Sequence, residues 1–218
     1  MLLNQFCILW DMDGTIVDNK DLHYETWHQT LLNINVNLQR KVFDDNFGKN
    51  NLESLPIYLG YEPDNDLIRQ LSETKERTFQ ELAAQKSDLF PGVKNLLCYF
   101  QENKVPQAIA SSAPMKNIEV VIEHLNLKSY FDLFVTGSDF PSKPAPDIFL
   151  FAANKLATPA NRSIVIEDSR VGLQAGRSAG MKTIGVASTH PASSLEADFV
   201  LEDFNTPPEG IIRKLLGQ

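Results

Sequence analysis

Short apolar runs bounded by polar or turn-forming residues recur at residues 6–10, 107–110, 133–136, 163–166 and 183–186. Runs of this length without alternation are what strands buried on both faces of a parallel sheet look like. Between them lie windows with apolar residues at helical spacing, 93–100, 117–125, 147–156 and 171–179, the last stopping at Gly180 as helices often do. The alternation of strand and helix from about residue 90 onward predicts a doubly wound, Rossmann-like parallel α/β sheet.

The first strand breaks that rhythm. After Trp10 and an Asp-rich turn, some seventy residues pass with helical periodicity and little strand character. An inserted helical unit accounts for the gap. It is placed at 19–88, with helices near 21–32, 52–59 and 64–85, and the core resumes at Phe90-Pro91-Gly92. The expected division is therefore a catalytic core of 1–18 and 89–218 with a helical cap of 19–88. Ligands of open α/β sheets bind outside the carboxyl ends of the strands, where an insert after the first strand can form a lid.

Composition changes this picture little. A chain of 218 residues with 43% hydrophobic and 22% charged content is an ordinary globular sequence, without low-complexity tracts or internal repeats. The formal charge of −8, from 28 acidic and 20 basic residues, and the lack of any Lys/Arg-rich run exclude the basic stripe that nucleic acid binding needs. A small phosphate is still compatible, because Mg²⁺, a lysine and backbone amides can make a local positive pocket inside an acidic protein. Residues 1–10 are apolar but lack the basic start and small-residue cleavage site of a signal peptide, and no stretch approaches the roughly 20 apolar residues of a membrane span. A cytoplasmic location is expected. Cys7 and Cys98 both fall in apolar patterns and are expected in the core, neither paired nor able to frame a zinc site.

The chemistry-bearing residues cluster at predicted strand ends. Asp11-Met12-Asp13-Gly14-Thr15 follows the first strand, and two carboxylates two residues apart can divide the work of nucleophile and proton shuttle. A solvated turn or half a calcium loop is the plainer alternative, but the acidic spacing of a calcium loop is not met. Ser111 and Ser112 follow the second strand, where a hydroxyl and a backbone amide at the start of a helix would favour an anion; a plain helix cap explains either one alone. Lys143, in Ser142-Lys143-Pro144-Ala145-Pro146-Asp147, sits on a stiffened approach to a helix and could hold a phosphate, although a lone surface lysine is ordinarily solvated. Glu167-Asp168 leaves the fourth strand, and such hard oxygen ligands suit Mg²⁺. Each has its own ordinary explanation. Their joint occurrence on one edge of one sheet does not.

In these residues the sequence resembles the haloacid dehalogenase superfamily of phosphotransferases along essentially its whole length. The four family motifs occur in order at Asp11-Met12-Asp13-Gly14-Thr15, Ser111, Lys143 and Glu167-Asp168-Ser169, and 172–181 also resembles the family's sequence after the fourth motif. The resemblance implies that Asp11 forms an aspartyl-phosphate while Asp13 protonates the leaving group and later activates water. It implies that Ser111 and Lys143 hold the transferring phosphoryl group. It also implies Mg²⁺ on Asp11, the Asp13 backbone carbonyl and Asp168, with Glu167 in support, and a helical cap.

Two subgroups share this cap type, sugar-phosphate phosphatases and β-phosphoglucomutase-like enzymes. His23 and Trp27 match a His and a Trp of the mutases, although Trp27 is equally explained by core packing. Aligned through Phe47-Gly48-Lys49, Asn51 occupies the place of a mutase cap arginine that clamps the distal phosphate, and an amide does not replace a bidentate guanidinium. Lys49 could compensate as a point charge, and Thr15 stands where a mutase has a valine-like residue. His23, Ser112, Lys49 and Asn51 are thus the expected substrate contacts. The expectation is an Mg²⁺-dependent phosphatase of a small phosphorylated metabolite, with phosphomutase as the alternative. Dehalogenase chemistry needs neither Asp13 nor Asp168, a phosphonate-cleaving enzyme needs a Schiff-base lysine that Lys49, Lys75 and Lys86 do not evidently supply, and a non-catalytic binding protein would be expected to have lost Asp11.

Overall fold

The computed structural model describes residues 6–205, so the expectation drawn from the first five residues lies outside it. The five anticipated strands form as β1 (Cys7–Trp10), β2 (Gln107–Ser111), β3 (Leu133–Thr136), β4 (Ser163–Glu167) and β5 (Lys182–Val186). A sixth, β6 (Phe199–Leu201), was not anticipated and closes the sheet at one edge. The order is β3-β2-β1-β4-β5-β6, and each adjacent pair is parallel.

β1 lies in the middle and is buried throughout. Ile8 and Trp10 face one layer, shared with Ile109, Ile164 and Ile166, whereas Cys7 and Leu9 face the other, shared with Ala108, Ala110 and Val165. The two faces alternate with the period of the strand, and because both are covered the sequence shows an unbroken apolar run. Helices α5 (Val93–Glu102) and α6 (Met115–His124) cover the Trp10 side with Phe100, Ile118 and Val121. Helices α7 (Asp147–Lys155) and α8 (Arg170–Ser178) cover the Cys7 side with Ile148, Phe149, Ala152 and Ala175. Full burial of one such side chain stabilises the fold by about 1.5–3 kcal/mol, which makes the sheet core the main source of stability. Cys7 is in that core as expected, but Cys98 is only half-buried; both are free thiols.

Between β1 and α5 run α1 (Lys20–Leu32), the unanticipated five-residue α2 (Arg40–Asp44), α3 (Asn51–Leu59) and α4 (Asn65–Lys86). Asn50 and Asp64 cap α3 and α4 by accepting hydrogen bonds from the Glu53 and Leu67 amides, which fixes where each helix begins. These helices carry an apolar cluster of their own, with Trp27, Leu31, Phe43, Leu55, Tyr58 and Leu71. Leu22, Phe79 and Ala83 of α1 and α4 instead join the cluster beside the sheet. The outgoing and returning chain segments pair where they cross between the two: Val17 bridges Leu89, Asp18 N donates to Asp88 O at 3.0 Å and Phe90 N to Ile16 O at 3.1 Å. Among the described residues no helix is long and apolar enough to cross a membrane.

Candidate active site

Trp10, the last residue of β1, pairs with Ile109 of β2 and Ile166 of β4, so the three strands deliver their next residues to the same level of the sheet edge. This is the point where the strand order reverses, β2 lying on one side of β1 and β4 on the other. Asp11 extends the ladder through its amide, which donates to Ile166 O at 3.0 Å. Ser111 ends β2, Glu167 ends β4 and Asp168 follows it. All four are buried.

Lys143, on the segment before α7, is no surface lysine; it is 8% exposed. Its ammonium donates to Asp11 Oδ1 at 2.7 Å, Glu167 Oε1 at 2.9 Å and Ala110 O at 3.2 Å. Burial by itself would depress the Lys143 pKa, but the charges of Asp11 and Glu167 outweigh it and hold the ammonium more firmly than usual. Asp11 is pushed the other way. Burial lifts its carboxyl well above the ordinary range against the pull of Lys143, and the negative charges of Glu167 and Asp168 add to the lift. Asp168 is pushed up to about 7 by burial and by Glu167, although the Thr15 hydroxyl, at 3.0 Å, and the Thr189 hydroxyl both donate to its oxygens.

Glu167 is the anchor of this arrangement. It receives Lys143 on one oxygen and the Ser169 amide, at 2.6 Å, on the other. The first turn of α8 passes so near that a Cβ at Gly172 would lie 1.7 Å from Glu167 Oε1. Asp13 stands apart, after which Gly14 turns the chain at a φ of +90°. Its Oδ1 accepts from Asn19 Nδ2 at 3.2 Å and lies 3.3 Å from His23 Nε2.

The anticipated setting of Ser111 and Ser112 needs correcting. Helix α6 starts only at Met115, behind Pro114, so neither serine caps it. Ser111 instead turns its hydroxyl back to accept from the Ala113 amide at 3.2 Å.

These core residues form one wall of a cavity of about 480 Å³, and the helical insert forms the opposite wall. His23, Trp27, Lys49, Asn51 and Ser112 all line it. Trp27 meets both readings at once, since it is also 4% exposed and packs edge-on against Tyr58. Lys49 is exposed and its ammonium donates to Asn46 Oδ1 at 2.8 Å.

Sequence reasoning missed the polar network behind this wall. The Lys75 ammonium is 3.1 Å from His23 Nδ1 and donates to Glu76 Oε1 and Oε2 at 3.0 and 3.2 Å. Glu76 also accepts from Asn51 Nδ2 at 2.8 Å and from Asn117 Nδ2 at 2.6 Å, which joins α3 and α4 to the core helix α6. Burial pushes the Glu76 carboxyl upward, but Lys75, Asn117 and Asn51 outweigh it and hold the pKa below the usual value. A signal was available: Leu71, Lys75, Phe79 and Ala83 fall every fourth residue on the buried face of α4, and one of them is a lysine.

The donor set at the floor fits a divalent metal. Asp11 and Glu167 share the one ammonium of Lys143, burial and then neighbouring negative charge lift the Asp11 and Asp168 carboxyls, and oxygen is the donor that Mg²⁺ takes. Among the described residues no three carboxylate, imidazole or thiol groups gather as a ready-made chelate, so part of the shell would come from backbone, water or substrate.

Comparison with known proteins gives the family and the fold. The sequence profile of the haloacid dehalogenase-like hydrolases matches residues 8–186. The chain is 31% identical over 202 residues to the β-phosphoglucomutase of Bacillus subtilis, covering 89% of this chain and 88% of that one. It is 28% identical over 182 residues to a phosphorylated carbohydrates phosphatase of Thermotoga maritima, covering 81% and 82%. Among solved structures, a haloacid dehalogenase hydrolase of family IA, variant 3, from Entamoeba histolytica superposes with a TM-score of 0.90 at 26% identity, covering 98% of this chain and 100% of that one.

Proposed function

The chain belongs to the haloacid dehalogenase-like hydrolases, and from that premise we propose that it is an Mg²⁺-dependent phosphatase of small phosphomonoesters, sugar phosphates foremost. The observation that carries the reading is the buried set of Asp11, Lys143, Glu167 and Asp168 at the floor of a cavity with Asp13 and Ser111 on the same edge. We read residues 19–88 as a cap over that floor.

Asp11 is the nucleophile. One of its oxygens attacks phosphorus, forming the aspartyl-phosphate as the bond to the substrate's ester oxygen breaks. Asp13, steadied by Asn19 and His23, gives its proton to the departing oxygen; as a carboxylate it then takes one from the water that hydrolyses the aspartyl-phosphate. Ser111 and Lys143 receive the phosphoryl oxygens, and Glu167 keeps the Lys143 ammonium aimed at the floor. Bound Mg²⁺ supplies charge neutralisation between Asp11 and the phosphate; Asp11, Asp168 and the Asp13 main-chain carbonyl would hold it, with Glu167 in support. His23, Ser112, Lys49 and Asn51 line the space for the rest of the substrate.

Transfer of the phosphoryl group to a second sugar hydroxyl, as in a phosphomutase, is the second reading, and the identity to the Bacillus subtilis enzyme supports it. The tie of Asn51 to Glu76 favours water as the acceptor, because an amide held by a carboxylate offers no cationic grip on a distal phosphate. The test is a screen of phosphomonoesters at fixed Mg²⁺ with Asp11→Asn as the blank. Release of phosphate by wild type and not by the variant is expected; equal release by both would refute the assignment.

A further inference from the structure

Asp168 differs from its two buried neighbours in what holds it. Asp11 and Glu167 share the Lys143 ammonium, whereas the Asp168 oxygens are met by neutral hydroxyls, Thr15 on Oδ1 at 3.0 Å and Thr189 on Oδ2. One donor on each oxygen fixes the plane of the carboxylate, and neutral donors leave its charge to a cation. Thr15 comes from the Asp-rich turn itself. Thr189 comes from the segment that follows β5 and lies outside the four motifs.

That segment joins the turn to the carboxylate. The Ser188 hydroxyl donates to Gly14 O while Gly14 N donates to Val17 O at 2.9 Å, so the peptide groups on both sides of Gly14 are held. A Cβ at Gly14 would lie 2.4 Å from Asp168 Oδ2 and 2.9 Å from Thr189 Cγ2, so the turn, the carboxylate and the threonine meet with no room for a methyl group. The Thr189 hydroxyl has one hydrogen, and an ionised Asp168 only accepts it. His190 Nδ1, 2.9 Å from the same hydroxyl oxygen, must therefore be a donor to it. Thr189 is thus held from behind while it holds Asp168, and hydrogen bonds in such a chain strengthen one another.

We infer that Thr189 is a positioning residue for the metal, and that the segment Ser188-Thr189-His190 sets the affinity for Mg²⁺ by clasping Asp168 and the turn at Gly14. The inference rests on the Mg²⁺ site of the proposed phosphatase and adds to it a residue that acts through Asp168. Partners of this kind, one bond removed from the ion, typically contribute about tenfold to hundredfold to metal affinity.

The test titrates Mg²⁺ alone into the chelator-treated full chain by calorimetry, without substrate. Thr189→Val exchanges the hydroxyl for a methyl group and should weaken Mg²⁺ roughly tenfold to hundredfold. Thr189→Ser keeps the hydroxyl and should stay near the wild-type constant. Ser188→Ala releases the segment from Gly14 and should weaken Mg²⁺ in the same sense but less, which serves if the valine variant folds poorly. Urea midpoints of the metal-free proteins separate this from a purely structural role, which would lower the midpoint of Thr189→Val and leave its Mg²⁺ constant alone. The inference would be overturned by a constant unmoved in Thr189→Val, or in Ser188→Ala where Thr189→Val does not fold. An equal loss in Thr189→Ser, or a wild type that binds no Mg²⁺, would overturn it too. If wild type hydrolyses 4-nitrophenyl phosphate only with Mg²⁺ while the variants bind the ion unchanged, this inference alone falls; if wild type neither binds Mg²⁺ nor hydrolyses the ester, the reading beneath it falls as well.

Discussion

Gly172→Ala is expected to destabilise the protein, although helix propensity by itself predicts the opposite. Alanine in place of glycine within a helix is normally worth about 0.5–1 kcal/mol in its favour. Here the added Cβ would lie 1.7 Å from Glu167 Oε1 and 2.0 Å from its Cδ, distances at which one of the two must move. Glu167 is 1% exposed and held at both oxygens, by Lys143 and by the Ser169 amide, so it cannot swing aside without loosening a charge-assisted bond. Overpacking costs about 1–3 kcal/mol and a weakened bond to a charged group about 1.5–3 kcal/mol. After the propensity gain is deducted, a loss of about 2–5 kcal/mol remains, a large part of the 5–15 kcal/mol that stabilises a typical protein. At roughly 2–4 °C per kcal/mol for a chain of this size, Tm should fall by about 4–20 °C. Urea unfolding and a thermal scan measure the loss, and kcat on an aryl phosphate should fall as well because Lys143 loses one of its two carboxylate partners. A variant as stable as wild type, with undiminished kcat, would refute the argument that this helix turn is shaped around the carboxylate.

Removing divalent metal with excess chelator should abolish hydrolysis of 4-nitrophenyl phosphate reversibly, with Mg²⁺ restoring it; persistent activity would exclude the metal-dependent mechanism. Asp13→Asn should slow alkyl phosphates more than aryl phosphates in single turnover, since a good leaving group needs less protonation; equal losses would argue against its acid role. When glucose 1-phosphate is followed in parallel for free phosphate and for glucose 6-phosphate, phosphate release should outrun isomerisation even with added glucose 1,6-bisphosphate, and the reverse would establish a mutase. Because Glu76 titrates lower in the folded protein than its unfolded value of about 4.3, its contribution to stability should be present above that pH and be lost as pH falls through the depressed folded value. Urea midpoints of wild type and Glu76→Gln should therefore converge on acidification from pH 6, and a constant gap would contradict this.

The parts of the fold that the sequence made legible are those where burial on both faces leaves no alternation to confuse, as at Ile8-Leu9-Trp10 and Ile164-Val165-Ile166. β6 escaped because three residues between Asp198 and Glu202 make too short a run, and α2 because Phe43 is its one buried side chain. The floor of the site was legible in part through spacing, since Asp11 follows the last residue of β1, Ser111 and Glu167 end β2 and β4, and neighbouring strands share a register. Its opposite wall was not. The link from Asn51 through Glu76 to Asn117 joins residues 25 and 41 positions apart on three helices, a convergence that depends on how those helices pack.

The position of β1 has a consequence for how the chain is made. Its first partners, β2 and β4, lie far downstream: Ile8 pairs with Gln107 and Cys7 with Ser163. At synthesis rates of about 5–20 residues per second, the apolar first strand waits roughly 8–30 seconds before its last neighbour has been made. During that interval the helices between β1 and α5 have all been made, and until β4 arrives β2 is the one neighbour that β1 can pair with. The central strand therefore keeps one edge open for most of synthesis, and the middle of the sheet and the floor of the cavity are completed by the same late event, the arrival of β4.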